Sequence, residues 1–307
     1  MRALAGAVGL VVVGSGLLPG QELEPGLYQN APVGLDAVIL GYGFSTGNVL
    51  IDASLPLEDV DAKIHTLGLG YVRTLAVFEH SAKLDVQIPV AWSHFEGMVA
   101  GEHRTRSPSG LADPRLRFMV NFVGAPALAG ADYGTYRQGT VLGAGIQVGF
   151  PLGQYDPVRL INLGANRWSF RPEIGLSHKQ GRVFVELATG AWVFTRNGDY
   201  FGGTTLDQDP LYFVKGDLVY NFRRRGSWVS VNYGYASGGE TTIGGVAKQN
   251  IQTNNRAGVT LALPAGRAGS LKLTYTNGLL TRLGADFDYF GASYQRTWGG
   301  RGRRNPR

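Results

Sequence analysis

Apolar and polar residues sort by parity along Lys83–Trp92, KLDVQIPVAW. Leu84, Val86, Ile88, Val90 and Trp92 fall on one parity, and Lys83, Asp85, Gln87, Pro89 and Ala91 on the other. Successive side chains of a strand point to opposite faces, so a strand here has one greasy face and one polar or small face. The sorting recurs. In PRLRFMVNF, Leu116, Phe118, Val120 and Phe122 oppose Arg115, Arg117, Met119 and Asn121. In RWSFRPEIGLS, Trp168, Phe170, Pro172, Ile174 and Leu176 oppose Ser169, Arg171, Glu173 and Gly175. In LKLTYT, Leu271, Leu273 and Tyr275 oppose Lys272, Thr274 and Thr276. The stretch RVFVELATGAWVF is less clean, because Phe184 and Trp192 share the parity of Glu186. About twelve such segments are found, an even number as in bacterial barrels. They centre on residues 33–43, 61–72, 82–93, 113–123, 139–150, 166–178, 182–195, 210–222, 227–236, 250–263, 270–277 and 286–298. The pattern predicts an all-β chain: a transmembrane antiparallel up-and-down β-barrel of about 12 strands.

The connections between segments carry a second signal. Barrels of this type have short periplasmic turns and longer extracellular loops. The connections after segments one, three, five, seven and nine are long, and those after six, eight and ten (SHKQG, RRRG and PAGRAG) are tight. The fourth, GAPALAGADYGTYRQ, is long where a short turn is expected. The loop spanning residues 94–112 carries Glu96, Glu102, His103, Arg104 and Arg106 and is expected to fold inwards as a constriction. Tyr42, Tyr71, Trp92, Trp168, Tyr220, Phe222 and Trp298 lie near segment ends, where amphipathic rings form girdles at the membrane–water interface.

Composition agrees with a lipid-facing exterior. Charged residues are 17% against the roughly 25% of soluble domains, while the hydrophobic share is an ordinary 44%. No internal segment approaches the roughly 20 apolar residues of a membrane helix, so a membrane-spanning form has to be a closed barrel. Residues 1–21 read as a signal peptide, with Arg2 ahead of an apolar stretch and cleavage after Gly16, Gly20 or Gln21. The alternative, an uncleaved anchor helix, is disfavoured by Gly6, Gly9, Gly14, Gly16 and Gly20. Residues 22–299 form the barrel as one domain, and residues 300–307 a basic disordered tail. Arg301, Arg303, Arg304 and Arg307 supply most of the formal charge of +6. A tail of this kind can meet anionic lipid or nucleic acid, but a solvated end is the plainer reading, and nucleic acid is not an expected partner. The chain has no cysteine, so disulfides and thiolate metal sites are excluded.

Catalytic and metal chemistry find little support. His65, His80, His94, His103 and His178 show no metal-ligand spacing, and no metal or cofactor is expected. Ser177 and His178 are neighbours, hence on opposite faces of a strand, and cannot act as nucleophile and base. No G-x-S-x-G elbow occurs. GAGIQVG lies within a strand segment with the wrong spacing for a nucleotide loop; its glycines are read as thinning the luminal wall. Asp199, Asp207 and Asp209 lack the bidentate glutamate of a calcium loop. The informative set is the polar face, expected to line the lumen: Lys83, Asp85, Gln87, Arg115, Arg117, Asn121, Arg171, Glu173, Glu186, Lys215, Asp217, Arg256 and Lys272, with Asn221. Either these charges pair across the barrel and fill it, or they line an open path. Their arginine excess favours anionic or hydrogen-bonding solutes.

Longer motifs then resemble a known family. LADPRLRF, GIQVGFPLGQYDPVRLINLGANRWSFRPEIGLS, WVFTRNGDYFGG, QDPLYFVKGDLVYNF, NNRAGVTLALP and SLKLTYTNGLLTRLGADFD follow, in order and spacing, the outer-membrane family labelled "Putative MetA-pathway of phenol degradation". The resemblance runs over nearly the whole mature chain. It implies a bacterial outer-membrane transporter associated with uptake of aromatic or other hydrophobic compounds. Carried over by motif are Asp113, Pro114, Asn162, Asn166, Arg167, Trp168, Asn197, Asp209 and Pro210, together with Arg256. They either bind solute or shape loops and strand ends, and shaping is preferred. The last strand, FGASYQRTW, closes on Trp298, which resembles the signal read by the barrel-assembly machinery; the basic tail beyond it departs from that pattern.

The leading expectation is a non-enzymatic, passive outer-membrane channel for small hydrophobic or aromatic, phenol-like, compounds. Its partners are the lipid bilayer, the solute and the assembly machinery. The alternative is a sealed structural barrel. A membrane lipid hydrolase ranks below both, for want of a nucleophile signature.

Overall fold

The computed structural model describes residues 23, 25–50, 57–99, 101–224, 226–281 and 284–300. The expected signal peptide and all of the basic tail after Gly300 lie outside these residues. Twelve strands form the wall. They are β1 (Leu35–Leu50), β2 (Leu57–Val77), β3 (His80–Val99), β4 (Arg115–Pro126), β5 (Thr140–Gly149) and β6 (Ser169–Gln180). The second half is β7 (Val183–Phe194), β8 (Leu211–Asn221), β9 (Trp228–Gly238), β10 (Gln252–Pro264), β11 (Gly269–Thr281) and β12 (Gly284–Gly299). Each strand pairs antiparallel with its sequence neighbours. β1 also pairs with β12, from Leu35 opposite Gly299 to Leu50 opposite Gly284, which closes the sheet on itself. Closure removes the free edges that hydrocarbon could not satisfy.

Parity sets inside and outside. Leu69, Ile88, Val90, Ile174, Leu187, Val214, Leu218, Val231 and Leu273 are exposed on the outer face. All seven expected girdle aromatics are exposed too. At the end bearing the long connections, His65 stacks on Trp92 with centroids 5.6 Å apart, and Tyr42 Oη lies 2.7 Å from His65 Nδ1. The two residues that spoiled the alternation of β7 point inward. Phe184 packs with Val219, Trp228 and Ala262 near the tight turns, while Trp192 packs with Leu211, Phe213 and Ala236 near the opposite rim. Apolar side chains thus line both ends of this part of the interior, with charges between them.

The connections explain one exception and correct one expectation. The long fourth connection forms a short helix, Gly130–Thr135, beside the segment that enters the barrel ahead of β1. Tyr133 Oη donates to the Asn30 carbonyl at 2.8 Å. The Asn30 amide donates to Gln138 at 2.9 Å, and its side chain donates to the Pro126 carbonyl at 3.1 Å. This connection is long because it clamps the incoming chain. By contrast, residues 94–112 do not fold inwards. The strand Glu102–Arg106 pairs with β3 from Phe95 to Val99 and continues it as an exposed hairpin, so the wall itself is prolonged and no constriction forms there.

Candidate functional site

The segment ahead of β1 does not join the wall. Leu23, Leu27, Tyr28, Asn30 and Ala31 are buried within the barrel, although the sequence reading assigns everything from residue 22 to the barrel itself. A segment without periodic hydrogen bonding must find partners for its amides and carbonyls. The wall supplies them. The amides of Leu27 and Tyr28 donate to the two oxygens of Glu186 at 3.1 and 3.0 Å. Lys83 Nζ donates to the Leu27 carbonyl at 2.8 Å and the Gly26 carbonyl at 3.3 Å. Tyr28 Oη donates to Glu173 at 3.0 Å, and Ser177 donates to the Tyr28 carbonyl at 3.3 Å.

Glycines of the inner face make room for this plug. Gly143 and Gly175 lie opposite each other on β5 and β6, and the Tyr28 ring covers both. A Cβ at Gly175 would stand 2.1 Å from the ring, and one at Gly143 2.8 Å from it. Gly234 of β9 receives Leu23, whose methyl would lie 2.8 Å from an added Cβ. The sequence reading of the glycines as wall-thinning did not include what they admit. Gly175→Ala is therefore expected to displace Tyr28, break its bond to Glu173, and weaken the plugged state by about 1–3 kcal/mol. Rising background conductance in planar bilayers, with the wall still resistant to unheated detergent, is the result that checks it.

All thirteen residues expected to line the lumen are buried. Asn221, at the end of β8, is half-buried and donates to the Arg182 carbonyl. The charges are knitted into the socket. Arg117 pairs with Asp85 at 2.7 Å and Arg171 with Glu173 at 2.8 Å. Gln87 donates to Asp85 at 3.3 Å, Asn232 donates to Asp217, and Arg256 donates to Thr276 at 3.0 Å. Lys272 lies 5.9 Å over the Trp228 ring, and Asn121 faces Gly143. Lys215 lines a cleft with Leu23, Arg171, Trp192, Phe213 and Gly234. That cleft has room for roughly one water molecule. Arg115 stands 5.8 Å from the Trp192 ring centre and Arg171 5.2 Å from it. Among the described residues the buried charges are seven cations (Lys83, Arg115, Arg117, Arg171, Lys215, Arg256 and Lys272) and four carboxylates (Asp85, Glu173, Glu186 and Asp217).

Apart from Arg256, the residues carried over by motif sit elsewhere, at the rim with the long loops. Asp113 accepts from the amides of Gly153 and Ala165 at 2.9 and 2.8 Å; burial raises its carboxyl above the usual range. Pro114 leads into β4, and its carbonyl accepts from Phe150. Asn162 closes a turn with Asp156 and Arg159. Asn166, left-handed at φ 51°, donates to Asn197 at 3.0 Å. Asn197 donates in turn to Tyr155 at 2.9 Å and to the Ala165 carbonyl at 3.2 Å. Arg167 donates to Gln208 and lies 4.3 Å over Phe194. Trp168 faces outward and stacks on Phe170. The Asp209 amide donates to the Glu240 carbonyl, and the Pro210 carbonyl accepts from Gly239. Strands Asn197–Tyr200, Thr204–Gln208, Thr241–Ile243 and Val246–Ala247 join the loops after β7 and β9 into a small sheet. These residues fasten loops to one another. Asp113→Ala would leave two amides without their acceptor and is expected to cost about 2 kcal/mol, read as a lower temperature of heat-modified gel migration.

Ser177 points inward and is buried, while His178 is exposed beside Thr140, so the two occupy opposite faces. Asp207 is paired with Arg196 at 2.8 Å. Among the described residues no group of three potential ligands converges on a metal position.

Comparison with known proteins follows the same lines. No curated protein matches the chain. The crystal structure of the COG4313 outer membrane channel from Pseudomonas putida F1 is similar, with a TM-score of 0.74 and 20% identity over 90% of this chain and 100% of that one. The β domain of the Bordetella autotransporter Brka gives 0.52 and 11% identity, over 87% of this chain and 100% of that one. At these identities the likeness is one of fold, that of outer-membrane barrels. Residues 42–279, over half of the chain and reaching from β1 into β11, match the family described as "Putative MetA-pathway of phenol degradation", and the chain belongs to that family.

Proposed function

We propose that this protein is a passive channel of the bacterial outer membrane for small hydrophobic or aromatic compounds, held shut at rest by its own N-terminal segment. One observation carries the reading. The lumen is filled by a separate stretch of chain, held by Glu186, Lys83 and Glu173, rather than by wall residues packed on one another. Non-covalent contacts of that kind can be exchanged for a solute. The rings of Trp192, Phe213, Phe184 and Trp228 give the interior apolar stations, and the family description points to phenolic metabolism. No energy source is needed for flux down a gradient.

Proteoliposomes test the proposal against protein-free vesicles with a panel of phenolics, alkanes and sugars. Faster uptake of phenolics, with discrete current steps in planar bilayers, is the expected result. A second reading is favoured by the narrowness of the interior, where the cleft beside Leu23 admits about one water. A sealed structural barrel would give neither current steps nor flux above the vesicle background.

A further inference from the structure

The rim with the short turns carries its charge on one side. Arg182 lies in the turn after β6, Arg223 and Arg224 in the turn after β8, and Arg267 in the turn after β10. All four are exposed. Residues 178–183, 221–228 and 263–270 include no Asp or Glu, and among the described residues these four guanidiniums meet no carboxylate. Neighbouring turns are two strand spacings apart, so the cations recur about every 10 Å along the rim. Arg296 of β12, opposite Gly269 of β11, carries the arc one strand further. Elsewhere on the surface the same residue type is neutralised. At the other rim Arg104 pairs with Glu102, Arg159 with Asp156 at 3.8 Å and Arg196 with Asp207 at 2.8 Å. On β1 and β2, Arg73 meets Asp36 at 3.5 Å. Like charges in a row repel one another, and an anion placed between them removes that cost.

The depth of the arc says which anion. Tyr220 and Phe222, set edge to face at 5.6 Å, are exposed on the lipid-facing parity directly ahead of Arg223. Tyr294 and Trp298 are exposed on either side of Arg296, which shares their parity. Such rings sit at the level of lipid headgroups, and an arginine among them lays its stem along acyl chains and its head at the phosphates. The guanidinium fork matches a phosphate group in two-pronged fashion. Short turns of these barrels are periplasmic, so the leaflet in question is the periplasmic one. We infer that the arc from β6 to β12 is a binding surface for anionic phospholipid of that leaflet. Phosphates sit between the turns and acyl chains run along the rings. A zwitterionic lipid fits less well, because its own ammonium group already answers its phosphate. The surface is separate from the lumen and does not depend on the channel reading.

Native mass spectrometry of the full chain in detergent micelles tests this. The protein is given equal amounts of phosphatidylglycerol and phosphatidylethanolamine with the same acyl chains, and the lipid retained per barrel is counted. Phosphatidylglycerol is expected to be retained about tenfold over phosphatidylethanolamine, with the ratio falling as ionic strength rises. Arg182→Gln, Arg223→Gln, Arg224→Gln and Arg267→Gln together should bring the ratio to within about twofold of unity. Lysine at the same four positions keeps the charge and should keep most of the preference. Lys63→Gln, Arg104→Gln, Arg159→Gln and Lys248→Gln remove as many cations from the other rim and should leave the ratio as it was. Equal retention of the two lipids by the unaltered protein, or a ratio unmoved by the four glutamines in the arc, overturns the surface. So does loss of the preference on changing Arg301, Arg303, Arg304 and Arg307 to Gln, which would place the lipid on the chain after Gly300. Glycerol phosphate, which has the headgroup charge and no acyl chain, should not displace the retained lipid at matched ionic strength. Displacement by it would make the arc a site for free phosphate esters and overturn the lipid assignment.

Discussion

Deleting Leu23–Ala31 is expected to raise single-channel conductance on the order of tenfold, because the segment fills an interior wider than that of an eight-stranded barrel. Leu23, Leu27, Tyr28 and Ala31 are buried there, and no strand of the wall depends on them for its pairing. Closure rests on β1 against β12, which the deletion leaves intact. Lys83 and Glu186 lose their backbone partners, but the emptied lumen admits water to replace them. The shortened protein should still migrate as a folded barrel in unheated gels. A folded barrel with unchanged conductance would place the obstruction elsewhere, in the loop network around Asp113 and Asn197.

Glu186→Ala is the second large expected effect. One carboxylate holds two consecutive amides of the plug. Hydrogen bonds to a charged group contribute about 1.5–3 kcal/mol each, so losing both weakens the closed state by about 3 kcal/mol or more, a factor of about a hundred in its population. The variant should therefore open often even with the segment present. Glu186→Gln keeps an acceptor for one amide and should fall between the two. The chain has no native cysteine, so a thiol introduced by Leu27→Cys is the only one present. Maleimide labelling of that thiol should be slow with Glu186 in place and fast with Ala there. Equal labelling rates would mean that Glu186 does not hold the segment.

The wall was legible because its physics is local. A half-lipid, half-luminal strand writes its two faces into alternate residues, and Leu116–Phe122 or Leu271–Tyr275 display this without any tertiary help. All twelve segments have their strand. Phe184 and Trp192 looked like errors in β7 because an interior was expected to be polar throughout. They are apolar layers near the two ends of this part of the interior, with charges between them. The plug was not legible, since ELEPGLYQNAPVG has no period and its hydrogen bonds to the wall reach residues 56 to 159 positions away. Three traces of it were nevertheless present. Ionisable side chains crowded the inner parity, and Lys83 and Glu186 among them serve the backbone of the segment. Gly143 and Gly175 left space with nothing named to fill it. The connection after β4 was too long for a plain turn, because Tyr133 and Gln138 serve the incoming chain. The inward constriction expected of residues 94–112 failed for a local reason as well. Phe95–Val99 and Glu102–Arg106 can pair with each other, and a hairpin in solvent satisfies their backbone at once.

Leu23 lies within the cylinder, whereas Gly300 emerges at the rim beside Gly34. These two positions are thus unequal places for engineering. A fluorophore or affinity handle joined just ahead of Leu23 would start from the interior and compete with the segment for space, turning a resting barrel into a leaky one. The same handle placed after Gly300 would hang in the periplasm and leave permeation untouched.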